Sequence, residues 1–198
     1  MNNDAFLISP DDPPAKRRIM EEGLRLFAKR GLSATSIRDI AAATGYTNPA
    51  LYKHFRTKDA LALVLFRKCY SELLSQVTLS TRAQSGFPDR FHAYLGAFVR
   101  FSDNHPHATI FTTDNLAVLW PQVSKDMGER TIITATRDLL QQGRNEGLVT
   151  SNQDMNLQLI LVTGMLGQMT RQLYLGGLKG PASKHIAGVE NILRAALA

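Results

Sequence analysis

Residues 44–58 place several side chains that can bond an anion within one short stretch. Tyr52, Lys53 and His54 stand in a row, and Lys58 follows four residues later. Cations combined with hydroxyl and ring N–H donors form the set of groups that meets phosphate oxygens and base edges. The chemistry predicted for this stretch is therefore nucleic-acid binding.

Each of these residues taken alone also has an ordinary structural interpretation. A tyrosine such as Tyr52 often packs its ring in a core, and His54 alone is more often a structural or surface histidine. Lys58 at a helix start opposes the positive end of the helix dipole, which is unfavourable unless a phosphate lies there. Together within fifteen residues, these features favour DNA binding.

Two short helices must position these side chains. Ser36 and Asp39 have the spacing of a capping box at the start of the first helix. Gly45 permits a left-handed turn, and Thr47 and Pro49 have the types expected at the cap and first turn of the second helix. This is a helix-turn-helix pattern, in which the second helix enters the DNA major groove.

The apolar residues of this segment predict how the helix pair packs. Ile37, Ile40, Leu51 and Phe55 are expected to face a preceding helix, and the small Ala41 allows the two helices to approach closely. The residues left facing outward are Arg38, Thr47, Asn48, Ala50, Tyr52, Lys53, His54 and Lys58.

The charge distribution agrees with an anionic partner at one end of the chain. The 198 residues carry a net charge of +6, and residues 14–58 contain ten Lys or Arg against three Asp or Glu. Residues 59–198 contain thirteen against eleven, so the excess lies in the first part. A solvated basic face is the alternative interpretation of such an excess.

The remaining composition indicates a globular protein of the cytoplasm. Hydrophobic residues make up 44% and charged residues 20%, and the single cysteine, Cys69, forms no internal disulfide. The first residues carry three aspartates and do not resemble a signal peptide. The most apolar segment, 157–169, is interrupted by polar residues and glycines, so no membrane partner is expected.

Apolar periodicity along the chain predicts an all-α fold. Residues 1–14, polar and rich in proline, are expected to form a disordered arm. The predicted helices are 16–29, 36–43, a short one from 48, 58–79, 88–104, 107–118, 121–146, 153–175 and 183–197.

At this point the sequence resembles the TetR family of bacterial transcriptional regulators. The resemblance is carried by Ile19, LF at 26–27, Gly31, TSIRDIA from Thr35, TGYT from Thr44, LYKHF from Leu51 and KDAL from Lys58. It implies a three-helix, helix-turn-helix DNA-binding domain over 15–58, followed by a helical ligand-binding and dimerisation domain over 59–198. It also implies a double-stranded operator as partner.

The resemblance assigns roles to individual residues. Arg38, Thr47, Asn48 and Ala50 fall where family members touch bases or nearby phosphates, and Tyr52, His54 and Lys58 where they hold phosphates. The full set expected at DNA is Thr35, Ser36, Arg38, Thr47, Asn48, Pro49, Ala50, Tyr52, Lys53, His54 and Lys58. Asn48 and Ala50 depart from the commonest family residues, so the operator sequence is not inherited. Gly23, often Ala in the family, weakens the first helix unless it permits a close contact.

The helix over 153–175 is apolar around most of its circumference and predicts a second covered side. We expect one side to pack against its own domain and the other against a second subunit. The alternative is that both sides are buried within one subunit. A two-fold homodimer calls for a roughly palindromic operator. The expected interface residues are Leu161, Gly164, Gly167, Gln168, Val189, Leu193 and Leu197.

Aromatic residues over 88–104 recur on one helix face, an arrangement typical of plain core or of a ligand pocket. The resemblance implies a pocket for a small inducer, here a hydrophobic or aromatic one, and no other cofactor. Its expected lining is Phe66, Tyr70, Tyr94, Phe98, Phe101, Phe111, Trp120, Met127 and Met165.

Two competing functions remain at this stage. The first is an all-α enzyme, an interpretation in which fragments of a metal site are supplied by Asp89 with His92, or by Asp103 with His105 and His107. Metal sites in helical bundles, however, need ligands that converge from several helices. We therefore expect no catalytic residue and no metal. The other alternative is a DNA-binding repressor that needs no ligand.

Overall fold

The computed structural model describes residues 5–198, and this part of the chain contains helices and no strand, which confirms the predicted all-α class. No helix in the described part is both long and apolar enough to cross a membrane. The α-helices are α1 (Pro14–Arg30), α2 (Ile37–Thr44), α3 (Asn48–His54), α4 (Lys58–Arg82), α5 (Phe87–Asn104), α6 (Pro106–Val123), α7 (Ile132–Asn145), α8 (Met155–Tyr174) and α9 (Ile186–Leu197). Two short 3-10 helices span Ala5–Leu7 and Ala182–His185.

The predicted disordered arm is wrong from residue 5 onward, and residues 1–4 lie outside the described residues. Leu7 is fully buried, and the backbone N–H of Ser9 donates to the carboxylate of Asp12 at 2.8 Å. The short turn that this bond closes leads directly into α1. The prolines that suggested disorder instead shape a turn, because the segment has an apolar side chain to bury.

The described chain divides into two compact units. Unit 1 comprises residues 5–72 and His105–Asp126, and unit 2 comprises Leu73–Asn104 and Met127–Ala198. This division does not coincide with a boundary after residue 58, because α6 groups with the first three helices. The assignment of DNA binding to residues 15–58 and of ligand binding and dimerisation to residues 59–198 therefore stays a prediction.

In unit 1, α1 is the helix on which the others pack. It lies against α2, α3 and α6, and the rings of Phe27 and Phe111 stack with centroids 5.7 Å apart. A Cβ added at Gly23 would lie 3.0 Å from a methyl of Leu61. Gly23 thus offsets its low helix propensity by allowing a close helix contact.

In unit 2, α5 is the most enclosed helix and packs against α7, α9 and the second 3-10 helix. Phe91, Tyr94 and Phe101 are buried on it. The Tyr94 hydroxyl lies 2.7 Å from the Thr136 hydroxyl, and Thr136 itself donates to the carbonyl of Ile132. Tyr94 therefore donates to Thr136, which satisfies a buried polar pair.

The predicted helix over 121–146 is wrong in its first part. Pro121 lies within the last turns of α6, and α7 begins only at residue 132. The interruption comes at Gly128, whose φ is +71°, and Thr131 then forms a capping box with Thr134. Pro121 does not interrupt α6, because α6 ends soon after it. Gly128 and the Thr131 cap therefore separate α6 from α7.

Candidate nucleic-acid interface

The capping box predicted at the start of α2 is present. The Ser36 N–H donates to the Asp39 carboxylate at 2.7 Å, and the Asp39 N–H donates to the Ser36 hydroxyl at 3.2 Å. The hydroxyl and amide of Ser36 hold the pKa of the Asp39 carboxyl below its ordinary value, and Arg30 adds a weaker attraction. Ser36 is exposed, but its hydroxyl is committed to this cap.

The turn between α2 and α3 has the predicted geometry. Gly45 adopts φ +76°, ψ +9°, a left-handed conformation that favours glycine, and its N–H donates to the Ala41 carbonyl at 3.0 Å. Thr47 occupies the N-cap of α3 with extended backbone, although its side chain makes no capping bond. Pro49 lies in the first turn, where no partner for its missing N–H is needed.

Buried apolar residues fix the rotation of α3 about its axis. Ile40 and Ala41 of α2 and Leu51 and Phe55 of the α3 segment are each 5% exposed or less. Because α3 has only seven residues, it is too short to be stable alone and depends on this packing. The opposite side of α3 must then face outward.

The outward side carries the predicted contact residues. Tyr52 is 51% exposed, Thr47, Pro49 and Lys53 are exposed, and the remaining predicted residues of α3 are half-buried. No side chain of this group forms a hydrogen bond or an ion pair with a described residue. The half-buried predicted residues of α3 are Asn48, Ala50 and His54.

Three exposed residues next to α3 extend this polar side. Arg38 of α2 is exposed, as predicted, and forms no ion pair with a described residue. Tyr46, 37% exposed, and Arg56 were not among the predicted contact residues. Their position at the two ends of α3 was the available signal, since ring faces and guanidinium groups both meet nucleic acid well.

Lys58 lies at the first position of α4 and is half-buried. Its ammonium donates to the carbonyl oxygen of Leu32 at 2.7 Å. An ammonium has three N–H donors, so this bond leaves two for a phosphate. Thr57 caps the start of α4, since the Ala60 N–H donates to the Thr57 hydroxyl at 3.0 Å.

Thr35 does not belong to the contact set, and its prediction is wrong. It is 1% exposed, and its hydroxyl donates to the Gly31 carbonyl at 2.9 Å. The hydroxyl thereby satisfies a carbonyl near the end of α1, which is otherwise without an intrahelical partner. A threonine just before an N-cap serine gives no sequence signal that separates this role from DNA contact.

The predicted pocket residues are mostly buried and belong to both units. In unit 1, the ring of Tyr70 stacks on that of Phe66 with centroids 5.9 Å apart. The centroid of the Tyr70 ring also lies 5.0 Å from that of Trp120. Phe111 is buried against α1. In unit 2, the buried residues are Tyr94, Phe98 and Phe101, and the half-buried ones are Met127 and Met165.

The predicted dimer residues divide into accessible and buried ones. On α8, Gly164 and Gln168 are exposed and Leu161 and Gly167 are half-buried. Leu193 is fully buried within the single chain, Leu197 is 1% exposed and Val189 is 6% exposed, so these side chains have almost no surface left for a second subunit. The α9 residues corrected in this way are Val189, Leu193 and Leu197.

Large apolar side chains outside the predicted set are exposed instead. Leu157 and Ile160 on α8 are 55% and 64% exposed, and Ile192 on α9 is 57% exposed. The error on α9 arose because its buried stripe and its exposed side both contain apolar residues. Periodicity identifies a buried stripe but does not tell which neighbour buries it.

The fragments considered as a metal site do not come together. Asp103 accepts hydrogen bonds from the N–H groups of Ala182 and Ser183, and His92 pairs with Glu190 at 2.7 Å. Within the described residues there is no group of three or more His, Cys, Asp or Glu that could hold a metal ion.

Comparison with known proteins agrees with the geometry of α1 to α4. Residues 19–65 match the family model described as bacterial regulatory proteins, tetR family. The regulator YerO of Bacillus subtilis is 31% identical over 104 residues, which is 51% of this chain and 36% of YerO. The repressor KstR2 of Mycolicibacterium smegmatis is 26% identical over 167 residues, 76% of this chain and 77% of KstR2.

A solved structure has the same fold along almost the whole chain. It is the ketosteroid transcriptional regulator KstR2 of Mycobacterium tuberculosis, with a TM-score of 0.82 and 21% identity. The superposition covers 96% of this chain and 98% of that one.

Proposed function

Since the chain belongs to the TetR family and is a DNA-binding transcriptional regulator, we propose that it is a homodimeric repressor released from DNA by a small, mainly apolar ligand. The observation that carries the DNA-binding part is the two-sided character of α3. Leu51 is buried on one side, and on the other side stand an exposed Tyr52 and Lys53, neither of which bonds to a residue that the structure describes.

The roles at DNA follow from exposure and side-chain chemistry. Arg38, Thr47 and Asn48 supply donors and acceptors for base edges, and the Ala50 methyl suits the thymine methyl group. Tyr52, His54 and Lys58 bind phosphates, which set the register of α3 in the major groove. Phosphate contacts carry most of the affinity and base contacts the sequence preference.

The exposed apolar residues of α8 and α9 support the homodimer. Leu157, Ile160 and Gly164 recur at helical spacing on one side of α8, and Ile192 is exposed on α9. A row of exposed aliphatic side chains marks an interaction surface. A second copy of the same surface covers it in a two-fold dimer, and Gly164 lets the helices approach closely.

The aromatic content of both units supports an apolar ligand. The regulator KstR2 of M. tuberculosis is described as a ketosteroid regulator, which makes ketosteroids reasonable first probes here. The ligand releases DNA only if it binds the DNA-free conformation more tightly than the DNA-bound one.

Selection of genomic DNA fragments bound by the purified protein tests the DNA-binding part. We expect a roughly palindromic sequence whose affinity falls steeply with salt concentration. Asn48→Ala should change the preferred sequence, whereas the exposed Asn152→Ala, outside α1 to α4, should leave it unchanged. No preference over random DNA at moderate salt contradicts the assignment.

A thermal-shift screen of ketosteroids and simple aromatic compounds, followed by gel-shift assays, tests the ligand part. Stabilising compounds that also release DNA support it. Compounds that stabilise the protein but leave the DNA complex intact favour a repressor that needs no ligand.

A further inference from the structure

Unit 2 contains a cavity of about 100 Å³ that opens to solvent. It lies between the last turns of α4, the first turns of α5 and the segment around α7. Val77, Tyr94 and Leu139 give it an apolar wall, and Arg90, Arg130 and Asp138 give it charged groups. The volume is well above the roughly 15 Å³ that one water requires.

Arg90 is held in place by neutral hydrogen-bond acceptors. Its Nε donates to the Thr81 carbonyl at 3.1 Å, and its Nη1 donates to the Gln142 side-chain oxygen at 2.6 Å. Both acceptors are neutral, and no carboxylate among the described residues forms an ion pair with Arg90. The half-buried guanidinium is therefore oriented, and the more distant carboxylate of Glu146, which accepts bonds from Phe87 and Gln142, attracts it without forming an ion pair.

The other two charged residues of the cavity are also unpaired. Arg130 and Asp138 are exposed, and neither forms a hydrogen bond or an ion pair with a described residue. Although both line the same cavity, they do not neutralise each other. The cavity therefore carries two guanidinium groups against one carboxylate.

We propose that this cavity binds a small organic carboxylate whose body is apolar. The carboxylate accepts charge-assisted hydrogen bonds from Arg90 and Arg130, since guanidinium groups match the planar geometry of a carboxylate. The apolar body packs against Val77, Leu139 and the Tyr94 ring. This inference rests on the ligand part of the proposed function, to which it adds an anionic group.

Binding of benzoate and hexanoate, measured by calorimetry on the full chain without DNA, tests the proposal. Benzamide and hexanamide serve as neutral isosteres and should bind at least tenfold more weakly. Arg130→Gln should weaken carboxylate binding about tenfold, because Arg130 bonds to no described residue and its donors are available to the ligand. Asp138→Asn should strengthen it, because a like charge leaves the cavity.

Arg137→Gln is the matched control. Arg137 is an exposed arginine of α7 that bonds to Asn156 and does not line the cavity, so carboxylate affinity should not change. Equal affinity for amides and carboxylates, an unchanged affinity in Arg130→Gln, or no carboxylate binding at all overturns the proposal. Because DNA is absent, these outcomes are separate from a failure of the regulator to bind an operator.

Discussion

The ammonium of Lys58 and the carbonyl oxygen of Leu32 are joined by a 2.7 Å hydrogen bond, which ties the first residue of α4 to the segment after α1. The bond spans 26 residues of sequence and encloses α2 and α3 between its ends. One side chain thus closes the helix-turn-helix segment and presents its remaining donors beside the proposed phosphate positions.

Replacing Lys58 by Met should therefore have two measurable effects. Loss of the bond to Leu32 should lower the free energy of unfolding by about 1 kcal/mol in denaturant titrations. Loss of a phosphate contact should weaken binding to all DNA sequences and reduce the salt-dependence slope by about one. Lys125→Met removes the same charge from an exposed site outside α1 to α4 and should change neither. An unchanged slope in Lys58→Met would leave Lys58 a purely structural residue.

Thr35 and Thr47 should respond oppositely to replacement by valine. Thr35→Val removes a buried hydroxyl that bonds to Gly31 and should cost roughly 1–2 kcal/mol of unfolding free energy. Thr47→Val alters an exposed side chain without a capping bond and should change stability by less than about 0.5 kcal/mol. Its effect should appear in gel-shift affinity instead. A stable Thr35→Val protein with lost DNA affinity would restore Thr35 to the contact set.

The Asp39 cap predicts how stability depends on pH. Because hydrogen bonds from Ser36 lower the pKa of Asp39 in the folded chain, its contribution is present above the ordinary value of 3.8. The contribution is lost as pH falls through the lower folded pKa. The stability difference between the wild type and Asp39→Asn should therefore shrink in acid, measured by denaturant titration. Asp11→Asn, at an exposed position outside the cap, makes the comparison, and an equal change there would point to net charge rather than the cap.

Adjacent residues of α9 should separate the dimer surface from the core. Ile192→Glu places a charge on an exposed position and should shift a dimer toward monomer in sedimentation experiments, with little loss of monomer stability. Leu193→Ala should cost about 2–5 kcal/mol of unfolding free energy, because Leu193 is fully buried in the single chain. Ile160→Glu on α8 should act as Ile192→Glu does. An unchanged mass in both glutamate variants would place the interface elsewhere.

The parts predictable from sequence are those that depend on neighbours within a few residues. The Ser36 cap, the left-handed Gly45 and the start of α3 follow from local backbone requirements, and the structure confirms them. Thr35 and Leu193 were misassigned because their roles depend on which distant residues cover them. The start of α7 was misplaced because Pro121 is tolerated where α6 has only its last turn to complete.

The cavity beside Arg90 was not predictable for a related reason. Its walls come from the end of α4, the start of α5 and the more distant segment around α7, and only the fold shows that Arg90 and Arg130 line one space. An arginine in a helix ordinarily indicates a solvated surface, and that Arg90 forms no ion pair with a described carboxylate appears only in three dimensions.

The division of labour within α3 bears on how such a regulator diverges. Leu51 and Phe55 hold the helix, while the side chains of Thr47, Asn48 and Lys53 form no hydrogen bond or ion pair with a described residue. Substitutions at those three positions cost little folding stability, so they can accumulate while every intermediate protein still folds. A duplicated gene can in this way acquire a new set of target promoters while its scaffold stays the same.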